Sequence, residues 1–207
     1  MDLAPVGAAP NDRHRPVPVA GRVRRGHPRV VTDIEIPRPT DGDVVDLILA
    51  DHRLFEDLLH QLRDVTCDRA AVRKALADVV AAHAEAEEKH VYPTLVRKDA
   101  VEEEDVEHST HEHLEGNEKL LALLEVSDVS SEEFGQAVED LTKALAHHLD
   151  EEEREILNPA RTDVTDDVRR DLGGKFAAER NDQLDRGAGD PDNLRKLIAA
   201  ERERSRS

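Results

Sequence analysis

Two stretches of the chain place a histidine one helical turn before a glutamate. Residues 83–93 read HAEAEEKHVYP and residues 148–158 read HLDEEEREILN. On a helix, positions i and i+4 share a face. His83 with Glu87, and again His148 with Glu152, therefore present an imidazole beside a carboxylate. Mixed nitrogen and oxygen donors without sulfur suit iron first and manganese next. No nucleophile triad, phosphate loop or dinucleotide fingerprint occurs, so any catalysis belongs to a bound metal.

Four long segments must position these pairs. They run from about Asp43 to Asp64, Asp68 to Lys98, Glu102 to Glu125, and Ser130 to the Asn158-Pro159 step. All are rich in good helix formers and separated by short breaks. Ser130 with Glu133 fits a capping box, and Pro93 is expected to kink or end the second helix. No segment reads as a strand. The expected fold is all-α, an up-down-up-down four-helix bundle, with a basic N-terminal arm and short C-terminal helices.

Steps of three and four residues trace one apolar stripe on each helix. The first stripe is Val44, Ile48, His52, Phe55, Leu59, Leu62; the second is Val72, Leu76, Val80, His83, Glu87, Val91. The third is Val106, His113, Leu120, Leu124; the fourth is Phe134, Val138, Leu141, Leu145, His148, Glu152, Ile156. Every helix thus buries one histidine, and the second and fourth add a glutamate. His52 and His83 lie at similar distances from the break near Cys67, roughly 22 Å at 1.5 Å per residue. Glu87 and His113 are similarly matched about the break near Ala100. Folded back on one another, the helices bring all four histidines to one level. The same test sets His147, His108 and His111 on polar faces, leaves His60 and His90 at the stripe edges, and leaves His14 and His27 in the arm.

Burying two unpaired carboxylates costs several kcal/mol. A polar hydrogen-bond network could satisfy them, but cations do so better. Six nitrogen and oxygen ligands argue against structural zinc, and four histidines argue against calcium or magnesium. One ion could be saturated; two carboxylates able to bridge fit a pair of ions better. Ferritin-like bundles use Glu-x-x-His, the reverse order at a different spacing.

The stretches ADHRLFEDLL around His52, HAEAEEKHVYP, HEHLEGNEKLL with His113, and HLDEEEREIL together resemble the hemerythrin-like HHE cation-binding family over residues 41–160. The resemblance implies a four-helix bundle holding two iron ions, bridged by carboxylates and oxo or hydroxo species. It implies His52, His83, Glu87, His113, His148 and Glu152 as metal ligands. Animal oxygen-carrying hemerythrins place two histidines one turn apart on the third helix; here the second place is Asn117. That departure implies a more carboxylate-rich centre with an open iron position and weighs against reversible oxygen carriage. Glu88 and Glu153 read as solvated neighbours or supporting groups. The expected function is to bind or sense a small diatomic or redox species, namely O2, NO or peroxide. The alternatives are a peroxide-decomposing, catalase-like enzyme and an iron-homeostasis or regulatory module.

The chain has 207 residues, 47 acidic against 29 basic, and a net charge of −18. So acidic a body is not expected to bind nucleic acid. The lone Cys67 permits no internal disulfide, and no run of about 18 apolar residues marks a membrane span. The opening MDLAPVGAAPNDRHRP lacks a continuous apolar signal core, so a cytoplasmic protein is expected. Residues 1–40 are rich in Pro, Gly and Arg, with six arginines against one aspartate between Asn11 and Val30. They are expected to be a disordered arm. Residues 161–207 are expected to form a helical extension or tail, with short helices over 163–180 and 191–204 and no visible chemistry.

Overall fold

The computed structural model describes Met1 and residues 34–204, and among these no strand occurs. The helices are α1 (Val44–Arg63), α2 (Arg69–Ala86), α3 (Tyr92–Arg97), α4 (Glu103–Glu125), α5 (Glu132–Glu152), α6 (Asn158–Asp163), α7 (Asp166–Asp185) and α8 (Pro191–Arg204). Three of the four long helices start on short polar side chains. Asp43 accepts from Val45 N, Asp68 from Ala71 N, and Ser131 from Phe134 N, each satisfying an orphan donor of a first turn. The cap of α5 is thus Ser131, one residue later than the expected Ser130.

The two prolines do not stop their helices. A π-turn over Glu87–Val91 joins α2 to α3, and a second over Glu153–Leu157 joins α5 to α6. Tyr92 N–H reaches Glu87 O and Asn158 N–H reaches Glu153 O, five residues back. Pro93 and Pro159 each follow directly. The widened turn relieves the clash with the carbonyl four residues earlier that a proline meets in α geometry. The expected stop at Asn158-Pro159 is therefore corrected: the chain stays helical to Asp163.

The four long helices pack as a closed ring, α1 on α2, α2 on α4, α4 on α5 and α5 on α1. Two apolar clusters fill it. One contains Phe55, Leu62, Leu76, Leu120 and Leu141; the other contains Ile48, Val91, Leu95, Ile156 and Phe176. On each helix the buried polar residues fall between members of the two clusters, so they form one band across the interior.

Outside the ring, α7 packs on α1 and α2, and α8 packs on α4. The C-terminal segment is therefore an integral layer. Its longer helix spans 20 residues and runs through Gly173-Gly174. A Cβ at Gly173 would lie 2.1 Å from the carbonyl oxygen of Gly42, so glycine here permits backbone contact. Gly173→Ala is expected to destabilise by about 1–3 kcal/mol through overpacking, despite the gain in helix propensity. Urea denaturation checks this, and a more stable variant would contradict it.

Most of the expected arm, residues 2–33, lies outside the described residues. The expectation of disorder fails for 34–40. Ile34 and Ile36 pack against the core, Arg180 and Asn181 donate to the carbonyls of Pro37 and Pro39, and Arg38 pairs with Asp185. A basic, proline-rich average hid two alternate isoleucines that give this short segment an apolar face.

Candidate metal centre

All six expected ligand residues are buried in the polar band. His52 comes from α1, His83 from α2, Glu87 from the π-turn that follows, His113 from α4, and His148 and Glu152 from α5. Their inner atoms converge. His83 Nε2 and His113 Nε2 lie 3.1 and 3.5 Å from Glu87 Oε2. His52 Nε2 and His148 Nε2 lie 3.2 and 3.8 Å from Glu152 Oε2. One ligand atom each from His52, His83, Glu87 and Glu152 fall within 4.8 Å of one another. The imidazoles form two pairs, His52 with His83 at 5.4 Å between ring centroids and His113 with His148 at 4.7 Å. His60 is exposed, and His90 turns to Glu179 at 3.6 Å, so both ambiguous histidines stand outside.

The outer nitrogens explain why all four rings point inward. His83 Nδ1 donates to Asp51, His113 Nδ1 to Glu88, His148 Nδ1 to Glu112, and His52 Nδ1 to Glu153, all at 3.0–3.1 Å. An ionised carboxylate only accepts, so each Nδ1 carries the proton and Nε2 is left to face the pocket. Such carboxylate support fixes ring orientation and raises ligand basicity. Every acceptor adjoins one of the six inner residues in sequence: Asp51 beside His52, Glu88 beside Glu87, Glu112 beside His113, Glu153 beside Glu152. Each serves a histidine on the next helix, and the four links close the ring. This is the role of the second glutamate in each repeated stretch.

Three further residues complete the surroundings, and none was expected from the sequence. Arg180 of α7, 1% exposed, clamps Asp51 through both oxygens, at 2.6 Å from Nε and 2.7 Å from Nη2. Burial would raise the Asp51 carboxyl, but His83 and Arg180 hold it below its usual range. The C-terminal extension, expected to carry no chemistry, thus reaches the centre through Asp51 and His83. Tyr92 donates to Glu152 Oε1 at 2.8 Å and lies 3.0 Å from Ser109 Oγ. Burial and the charges of Glu152 and Glu87 push its phenol well above the usual value, so it keeps its proton. Tyr92 is the lone tyrosine and stands next to last in the first repeated stretch; that was the available signal for it.

The pocket retains unsatisfied atoms that a cation would satisfy. His52 Nε2, His83 Nε2, Glu87 Oε1 and Glu152 Oε2 are buried without an aligned hydrogen-bond partner. The short His52–Glu152 contact is close in distance but not in hydrogen-bond geometry. Buried polar atoms are normally paired, so orphans from four residues aimed into one pocket fit a cation held by nitrogen and oxygen donors.

Without an ion, the carboxylates keep protons on the imidazoles. Burial opposes charge on His83, but the Glu87 charge and the bond to Asp51 raise it to about 9. Burial also opposes charge on His113, and Glu87 with Glu88 raises it to about 10. Burial would raise Glu87, but His83 and His113 hold it far below its usual range. Metal uptake at neutral pH is therefore expected to release protons. Raised histidine values stabilise fully below the unfolded value of about 6.5, and that contribution is lost as pH rises through about 9 and 10. The metal-free protein should lose stability from about pH 7 to pH 10 in urea titrations, more steeply than the metal-loaded form. A flat metal-free profile would contradict the pairing.

The family model of the hemerythrin HHE cation binding domain matches residues 43–160. No curated protein and no solved structure matches the chain. Among the described residues, no helix is long and apolar enough to cross a membrane. The matched span covers more than half of the chain and contains all four histidines and both glutamates of the pocket. The chain belongs to the hemerythrin HHE cation-binding domain family.

Proposed function

We propose that this chain holds two iron ions between Glu87 and Glu152 and binds or senses a small redox species, O2, NO or peroxide. One observation carries the two-ion reading. Glu87 lies against His83 and His113, and Glu152 against His52 and His148. Each carboxylate therefore touches one imidazole from each ring pair, the placement a bridging carboxylate needs. The ligands would be His52, His83, Glu87, His113, His148 and Glu152, with manganese the alternative load. Iron would supply the redox chemistry that these side chains lack. The order of the two apolar clusters supports an up-down-up-down bundle: α1 and α4 run from the Ile48 cluster to the Phe55 cluster, and α2 and α5 run back.

The size of the ligand is limited by the interior. A cavity of about 10 Å³ lies beside His83, His113 and His148, lined also by Phe55, Gly116, Asn117 and Leu145. That is room for about one water-sized molecule. Asn117 lines it where animal hemerythrins carry a further histidine. A Cβ at Gly116 would meet Leu145 Cδ2 at 3.7 Å, an ordinary contact. Gly116→Ala should therefore narrow the cavity without a clash and gain about 1 kcal/mol in helix propensity.

The test uses anaerobically iron-loaded protein. Wild type should hold two iron ions per chain and change its absorption with O2, NO or peroxide. Gly116→Ala should keep the iron and respond more slowly. No spectral change with any of the three would overturn the reading. Peroxide decomposition is the second reading, favoured by Tyr92, a buried phenol that holds its proton against Glu152. Oxygen evolution from peroxide should then depend on His148; equal rates in wild type and His148→Ala would remove it.

A further inference from the structure

Outside the buried centre, the His-x-x-x-Glu spacing occurs on two facing helices. His108 and Glu112 stand one turn apart on α4, and His147 and Glu151 one turn apart on α5. These histidines lie on polar faces and take no part in the centre. Their side chains nevertheless meet. His108 Nε2 is 2.9 Å from Glu151 Oε2 and 3.8 Å from Glu112 Oε1. His147 Nε2 is 3.6 Å from Glu112 Oε1 and 3.8 Å from Glu151 Oε1. One ligand atom each from His108, Glu112 and Glu151 lie within 4.8 Å of one another.

Exposed His–Glu pairs are common on acidic surfaces and need no cation. Glu112 is different. Its side chain is only 10% exposed, and its Oε2 supports His148. Its Oε1 is buried, has no hydrogen-bond partner, and faces the two outer imidazoles. A buried carboxylate oxygen left unpartnered is costly, and here it points at two nitrogen donors open to solvent. The spacing also fits. Among His108, Glu112 and Glu151 the contacts of 2.9 and 3.8 Å bracket the edge of about 3.3 Å expected of a tetrahedron with metal–ligand bonds of about 2.0–2.1 Å, and His147 stands just outside that group, 3.6 Å from Glu112. Arg154 lies 3.6 Å from Glu151 and is exposed enough to swing away.

We propose that His108, Glu112 and Glu151, with His147 beside them to complete the set by a side-chain turn, form a second, outer site for a zinc-class divalent cation. Two imidazoles and two carboxylates suit zinc, whereas magnesium has little use for the nitrogens. The site is independent of what fills the interior. Glu112 nonetheless joins the two: one oxygen faces the outer cation and the other holds His148.

Zinc alone is titrated by calorimetry into iron-loaded protein, and separately into metal-free protein, for wild type and for His108→Ala/His147→Ala. Both replaced side chains are more than half exposed, so the variant should fold and keep its iron. Wild type should bind one more zinc than the variant, or the same zinc at least about tenfold more tightly. Equal zinc uptake by the two proteins, at any stoichiometry, would overturn the outer site. Because the comparison also runs without iron, failure of the inner centre would appear as missing iron in both proteins, not as a lost difference in zinc.

Discussion

Arg180→Met is expected to cost about 3–5 kcal/mol, the usual cost of leaving a buried charge without its partner. For a protein of this size that is a fall in Tm on the order of 10 °C. Arg180 is 1% exposed and holds both oxygens of Asp51. Methionine fills much of the space but leaves Asp51 charged and buried beside His83. The variant also loses the bond to the carbonyl of Pro37. Because Asp51 orients His83, iron affinity should fall by about tenfold. Asp51→Asn/Arg180→Met removes the charge as well as its partner and should recover part of the stability. A single variant within about 1 kcal/mol of wild type would show that Asp51 is not held as an ion.

The second large effect concerns iron itself. A ligand at 100 times its Kd stabilises the folded state by about 2.7 kcal/mol, a rise of roughly 5–10 °C here. Iron-loaded wild type should show that rise over the metal-free protein. Glu87→Gln should show none. Glutamine keeps the shape but removes the charge that faces His83 and His113, and with it the oxygen that would neutralise a cation. Metal-free Glu87→Gln should also lose most of the alkaline slope, because His83 and His113 no longer have that counter-charge. Equal iron-dependent melting shifts in wild type and variant would exclude Glu87 as a ligand.

The six inner residues were legible because each lies on an apolar stripe, and a stripe converts sequence spacing into a direction. Matching distances from the helix breaks then gave their common level. The outer carboxylates were harder. Asp51 and Glu112 sit one position off their stripes, and the histidines they support lie on other helices, 32 and 36 residues away. Arg180 was not legible at all. It stands in a polar helix whose packing depends on Gly173 touching the backbone at Gly42, and glycine in a helix reads as weakness. Ile34 and Ile36 were lost in the composition of a longer arm. The prolines misled in one respect, since a π-turn can carry a helix past them.

The most direct measurement is the anomalous diffraction of crystals grown from iron-loaded protein, recorded on both sides of the iron edge. Two peaks between Glu87 and Glu152, one near His52 and His83 and one near His113 and His148, are the predicted result. A single peak, or iron bound elsewhere on the acidic surface with these side chains unligated, would contradict the account.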